Sequence, residues 1–494
     1  MFVSAMVEMF TPLNLALMCA GCFIGISFGA IPGLGSTTAI ALCLSFTYSL
    51  APESAFAFLL AIFVGGISGG LISAVLINIP GTAAAVATTF DGHPMAKGGH
   101  ATKALGTGVV ASFFGAMYSF IIMAFATPFL AGFALKFGAW EYFSIAFFSL
   151  TLISVLSGDN LIKGLFSGFL GLAIALVGVA PIDGYTRFTF GVSKLATGIG
   201  LVPAMVGVFA VAEIIENAAS QEADIQVLKQ DKVKGFGFTL KEMAAQVKNF
   251  LIAANIGTFV GILPGLGAAT CNLMSYAAVK KASKHPEKFG TGIMDGIVAS
   301  EASNNATIGG AMVPMIALGI PGDAVTAMLL GALILQGFVP GPMLMKMNGS
   351  LVYSMWSALI VSTVIMLIME FFGIPLFVKM LKIPNYILLP SVMVLCAIGA
   401  ISLSNRTFDL WVLIIFGFCG YILKRFKFPV TPIVLGMVLG NNLETYLRRA
   451  VQMGRGSYLP FVTRPISLIF LTLAAFMIIS TIVSQIKKHK SKTV

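Results

Sequence analysis

Two stretches of the chain read GAIPGLGSTT (29–38) and GILPGLGAAT (261–270), each setting a Pro-Gly-Leu-Gly break inside an apolar run. In a bilayer such a break frees backbone N–H and C=O groups that lipid cannot satisfy, so protein or a wet cavity must take them over. A helix that restarts after the break turns its free N–H groups toward it, and its macrodipole adds about half a positive charge there. That end can hold a carboxylate without the desolvation cost of a buried lysine. Ser36, Thr37 and Thr38 in one copy, and Thr270 in the other, can add hydroxyl donors. Pro32 sets the first break, while Gly33, Gly35, Gly265 and Gly267 allow positive φ and close approach of backbone to ligand. A single copy reads equally well as a kinked helix packed on its neighbour. Two copies favour binding.

A second matched pair follows, NIPGT (78–82) and GIPGD (319–323), which reads as turns at hairpin tips or as a second pair of breaks. Asn78 and Thr82 are neutral polar groups suited to substrate oxygens, and Gly322 stands in the matching tip. Asp323 takes the place of Thr82 in the second copy, where it either caps the next helix or helps hold a cation. Between the second-half breaks lies ASEASNNATIGG (299–310), with Glu301, Asn304 and Asn305 in an apolar setting. A carboxylate beside amide and hydroxyl oxygens suits Na⁺, or Glu301 could carry a proton; the alternative is hydrogen-bond glue between helices.

Other chemistry is thin. GLGST lacks the Gly-Lys-Ser/Thr of a P-loop, and no HExxH or Ser-His-Asp arrangement occurs. No catalytic residue, metal site or cofactor is expected beyond a coupling ion, Na⁺ or H⁺. CAGC (19–22) matches a CxxC pattern but sits inside an apolar run without a partner pair, which favours packing over zinc or redox chemistry.

The elements that must position these residues follow from composition. Of 494 residues, 58% are hydrophobic and 10% charged, with a mean hydropathy of +0.97. Soluble domains carry about 25% charged residues, so the chain is an all-α polytopic membrane protein with roughly ten to fourteen membrane segments. Fifty-three glycines suit closely packed and broken helices, and the long non-alternating runs argue against a β-barrel. The net charge of +11 sits largely in short patches, at 280–288, 424–427, Arg448 with Arg449, and the tail 487–492. Flanking apolar runs, these read as cytoplasmic topology signals beside the membrane lipid, not as a nucleic-acid surface. The start, with Glu8 and no basic stretch, reads as a retained segment rather than a signal peptide.

The chain is duplicated. Gly25, Gly29, Pro32, Gly33, Leu34, Gly35 and Thr38 recur 232 positions later, from Gly257 to Thr270, and GGLISAVLINIPGT (69–82) is echoed by GGAMVPMIALGIPGD (309–323). This divides the chain into a first membrane repeat (1–215), a polar linker (216–249), a second repeat (250–460), and a last helix with basic tail (461–494). Loop charge bears on orientation. After the first motif only the second half is basic, at 280–288; after the second motif only the first half is, with Lys97 and Lys103 in 91–103. Opposite bias at matched loops predicts inverted repeats built on broken helices or re-entrant hairpins.

Taken together, GAIPGLGSTTAIAL, GGLISAVLINIPGTAAAVATTFDGHPMAKGGHATKALG, GTFVGILPGLGAAT and ASEASNNATIGGAMVPMIALGIPGDAVTAMLLGALILQGFVPGP resemble the large membrane subunit of the tripartite tricarboxylate transporters. The resemblance covers both repeats; GGISGG (65–70) departs modestly from the aromatic approach to the glycine pair expected there. It implies a multi-pass bacterial inner-membrane secondary transporter that takes up small di- or tricarboxylates on an ion gradient. It also implies a small four-span membrane subunit and a periplasmic solute-binding protein as partners, and a cytoplasmic C-terminal tail. An anion-selective channel, or a stand-alone permease for other organic anions, is the rival reading.

Overall fold

The computed structural model describes residues 1–156, 161–219, 235–380, 383–404 and 406–492. It is helical, save for one two-stranded ribbon that pairs Gly178–Val179 with Thr186–Arg187. The first half contains α1 (Pro12–Ala30), α2 (Ser36–Leu44), α3 (Pro52–Ile77), α4 (Val86–Met95), α5 (Ala101–Ala134), α6 (Ala139–Leu156), α7 (Leu161–Ala175) and α8 (Leu201–Ala219). The second contains α9 (Val247–Ile262), α10 (Gly267–Ala282), α11 (Met294–Leu318), α12 (Ala324–Leu335), α13 (Gly349–Met380), α14 (Asn385–Ser404), α15 (Thr407–Arg425) and α16 (Thr431–Met453). A last helix, α17 (Pro465–Lys492), follows. Among the described residues, seven helices are long and apolar enough to cross a membrane, and four shorter apolar helices accompany them. The 25-residue α11 is not among the seven, because Glu301, Asn304 and Asn305 interrupt its middle.

Packing repeats with the sequence. α1 lies on α3 and α9 on α11; across the halves, α5 packs on α11 as α13 packs on α3, and α7 meets α16 as α15 meets α8. The recurring glycines explain the closeness of these contacts. A Cβ at Gly25 would sit 2.8 Å from the Gly66 nitrogen, and one at the matching Gly257 would sit 2.7 Å from the Ala306 Cβ. Nearly all of α3 and α11 is buried, so these two form the centre of the molecule, while α17 is largely exposed as suits a lipid-facing helix.

The breaks bend the chain back on itself. α1 starts level with α3, where Ser54 donates to Asn14 Oδ1 at 2.7 Å, and it stops where Ser36 meets Gly66 halfway along α3. From there α2 leads back to the start of α3. In the second half, Gln246 donates to Asp295 at 2.8 Å at the start of α11; α10 then returns along α11, with Ser275 bonded to the Ala299 carbonyl at 2.7 Å. Beyond α3, Asn78 adopts a left-handed conformation (φ 58°), and the chain dips back until Thr82 lies beside Gly70.

α11 begins where α3 ends. Asp91 of α4 accepts from the backbone N–H groups of Gly290, Gly292 and Ile293 at 3.0, 2.9 and 3.1 Å, just before α11. At the opposite end, Gln336 beyond α12 donates to the Thr47 carbonyl at 2.7 Å, just before α3. The matched helices α3 and α11 therefore run in opposite directions.

Of the polar linker 216–249, residues 220–234 lie outside the described residues. Its far side is already helical at Leu240–Ala245, where a capping box joins Thr239 and Glu242. Glu242 also pairs with Lys103, and this lysine, followed by the Thr239 bonds, pulls its carboxyl down to about 2. Of the basic tail 487–492, the helical backbone alone is described.

Candidate functional site

Both Pro-Gly-Leu-Gly breaks open into one cavity of about 550 Å³. Its wall includes Gly33, Gly35, Ser36, Thr37 and Thr38 from the first break, Gly265 and Gly267 from the second, Thr82 from the first-half tip, and Asp323 from the second-half tip. Pro32, Asn78, Thr270 and Gly322 are not in that wall. Asn78 is exposed at the end of α3, and Thr270 lies within α10 one turn beyond the break. Gly322 is buried behind the cavity, where its carbonyl accepts from Gly265 N–H at 2.7 Å. A Cβ at Gly322 would lie 2.8 Å from the Gly261 carbonyl oxygen, so this glycine serves the close approach of the second-half tip to the second break.

The local backbone explains the motif. Gly33 (φ 82°) and its match Gly265 (φ 92°) both take left-handed conformations that let the chain reverse. α2 and α10 then begin without any side-chain cap, so their first N–H groups have no intrahelical acceptor, and the residues that carry them line the cavity. Ser36 Oγ and Thr82 Oγ1, both in the cavity wall, are buried and have no hydrogen-bond partner. Beside Gly35, a Cβ would find nothing nearer than the Thr82 methyl at 3.8 Å, so that space is open. Unpartnered hydroxyls, helix ends and open volume are together the chemistry that would suit an anionic, oxygen-rich ligand.

Asp323 caps α12: its carboxylate accepts from Thr326 N–H at 2.8 Å, and Asp323 N–H donates in return to Thr326 Oγ1 at 2.9 Å. Glu301, Asn304 and Asn305 lie behind the cavity wall, all fully buried. Glu301 accepts from Thr88, from Ser112 at 3.1 Å and from Asn304 at 3.2 Å, so helices of both halves meet on this carboxylate. Asn304 also donates to the Ala84 carbonyl at 3.0 Å, and Ala84 is part of the cavity wall. Asn305 donates to Asn304 at 2.8 Å, and its own side-chain oxygen has no partner. The polar cluster thus adjoins the cavity through one residue.

Three charged residues escaped the motif reading. Lys424 and Glu213 line the cavity as an ion pair. Glu370 of α13 is fully buried, accepts from Ser68 at 2.7 Å through one oxygen, and leaves the other without a partner. Glu370 was findable as a carboxylate inside the apolar run VIMLIMEFFGIPLFV (364–378). Lys424 belongs to KRFK, where charge alone reads as topology. A second cavity, also about 550 Å³, lies between α7, α12 and α16 and holds neither break nor any charged side chain. Among the described residues, no group of His, Cys, Asp and Glu side chains is arranged to hold a metal ion. In CAGC, Cys22 donates across to the Ser362 carbonyl at 3.3 Å.

The family profile described as "Tripartite tricarboxylate transporter TctA family" matches residues 15–435, a span that includes both breaks and the cavity they share. The chain belongs to this family. As a TctA-family protein it is a multi-pass membrane component of a tripartite tricarboxylate transporter, which works with other subunits, and it is not an enzyme. It is 35% identical over 482 residues to an uncharacterized 52.8 kDa protein in the TAR-I ttuC' 3'region of Agrobacterium vitis, covering 98% of this chain and 96% of that protein. A second protein of that organism, in the TAR-II ttuC' 3'region, is 35% identical over 236 residues, which is 48% of the TctA-family chain and 98% of the relative. No solved structure matches.

Proposed function

We propose that this TctA-family chain carries small di- or tricarboxylates inward across the bacterial inner membrane, driven by an Na⁺ or H⁺ gradient. The substrate binds between the two Pro-Gly-Leu-Gly breaks, through the first N–H groups of α2 and α10 and the hydroxyls of Ser36, Thr38 and Thr82. The observation that carries this reading is the single cavity into which both breaks open. Glu301, Asn304, Asn305 and Asp323 serve ion coupling. A small four-span subunit completes the membrane part, and a periplasmic solute-binding protein delivers the substrate. The opposed course of α3 and α11 supports reading the halves as inverted repeats about an axis in the membrane plane, which suits alternating access around a fixed central site. On that reading the loops 91–103 and 280–288 and the basic tail are cytoplasmic.

Two experiments test this. In proteoliposomes, uptake of a panel of di- and tricarboxylates should saturate and should require one imposed ion gradient. Conductance without saturable, ion-dependent uptake would make the chain a channel instead. In a cysteine-free background, single cysteines at 97 and 284 should react only from the cytoplasmic side. Periplasmic labelling of either would defeat the inverted arrangement.

A further inference from the structure

Among the described residues, Lys424 is the one cation in the wall of the central cavity, and it is already paired. It stands in the last turn of α15, and its Nζ donates to Glu213 and, at 3.1 Å, to Glu216, both on α8. α8 and α15 do not need this link to pack. A Cβ at Gly417 would lie 2.7 Å from the Val211 Cβ, so small residues already bring the two helices together. An ion pair held in a cavity pays desolvation that an apolar pair would avoid, which points to a use for the charge. Among the described residues, the wall carries one ammonium against two carboxylates, Glu213 and Asp323, the latter also capping α12. While Nζ stays on Glu213, that ammonium is turned to a carboxylate of the protein and not to a ligand.

We propose that Lys424 binds a second carboxylate of the substrate, and that Glu213 is its placeholder when the cavity is empty. This rests on the reading that the cavity takes carboxylates, and it assigns the selection of di- and tricarboxylates over monocarboxylates to one residue. One carboxylate of the substrate meets the helix ends at the breaks. The other takes over the Nζ–H bond from Glu213, while Glu216 keeps its own. A monocarboxylate fills the first place and leaves Lys424 on Glu213.

The test is calorimetric titration of the full chain in lipid nanodiscs, with citrate and with butyrate as the single-carboxylate control. Glu213→Gln removes the competitor and should tighten citrate roughly 10-fold while leaving butyrate within about twofold. Lys424→Gln should weaken citrate roughly 10- to 100-fold and again spare butyrate. Loss in Lys424→Gln alone would also follow from misfolding, so the gain in Glu213→Gln decides. Unchanged or weaker citrate binding in Glu213→Gln overturns the exchange, provided Gly35→Ala still impairs citrate. If Gly35→Ala is also without effect, the cavity itself is the wrong place, and both readings fall.

Discussion

In the first half, the Gly33 carbonyl accepts from Asn217 at 3.0 Å, and Ser36 Oγ and Thr82 Oγ1 remain buried without partners. In the second, Gly265 N–H is tied to the Gly322 carbonyl and Asp323 closes a capping box with Thr326, so break and tip hold each other. The matched breaks begin from the same Pro-Gly-Leu-Gly, yet one half leaves two wall hydroxyls without partners and the other uses its polar groups to fix its own shape. The two differ in backbone as well, since Gly35 is extended (φ −156°) and Gly267 is left-handed (φ 60°). On the proposed function, duplication supplied two helix ends, and divergence made one the reader of ligand and the other its frame.

The largest effect is expected where the halves are tied rather than where they differ. Asp91→Ala leaves three backbone N–H groups and the Tyr276 hydroxyl without their carboxylate, at a cost of at least about 3 kcal/mol. Thermal unfolding monitored by size-exclusion should show that loss, with Asp91→Asn recovering part of it. Next come the two glycines, which separate reader from frame. Gly35→Ala places a methyl in open cavity space without backbone strain and should cost about 3 kcal/mol of citrate binding with unchanged melting. Gly267→Ala also presents its methyl toward the cavity but adds about 1–2 kcal/mol of left-handed strain, so both binding and melting should fall. Thr38→Val should weaken citrate by roughly 10- to 150-fold, whereas Thr270→Val, outside the wall, should change it no more than about twofold. Equal effects of the two threonines in titrations would erase the asymmetry. The smallest effect on affinity belongs to Asn305→Ala, which should alter the ion dependence of uptake and leave citrate affinity at saturating ion within about threefold.

The sequence is a good guide wherever chemistry and geometry share a cause. Apolar length gives the helices, Pro-Gly marks where they break, and recurrence at 232 positions gives the matched elements of the two halves. Placement across the fold was harder to read. Thr270 matches Thr38 in the repeat, but α10 starts at Gly267, itself left-handed, and carries Thr270 past the wall. Asn78 looks like a substrate ligand by type and instead ends α3 in a left-handed turn at the surface. Lys424 reaches the cavity because α15 ends there, and no local pattern encodes that meeting with α8. Periodicity reports which face of a helix is apolar, and in a chain apolar on every face it cannot say which neighbour a lone charge will find.

The most direct measurement is citrate binding to the purified full chain in nanodiscs, comparing wild type with the combined Gly35→Ala, Thr38→Val and Gly267→Ala variant. The mass and monodispersity of the variant should be checked first, so that the comparison is made on folded protein. If carboxylates bind between the two breaks, the wild type binds citrate and the folded variant shows no measurable heat of binding. Wild-type affinity in that variant would place the site elsewhere.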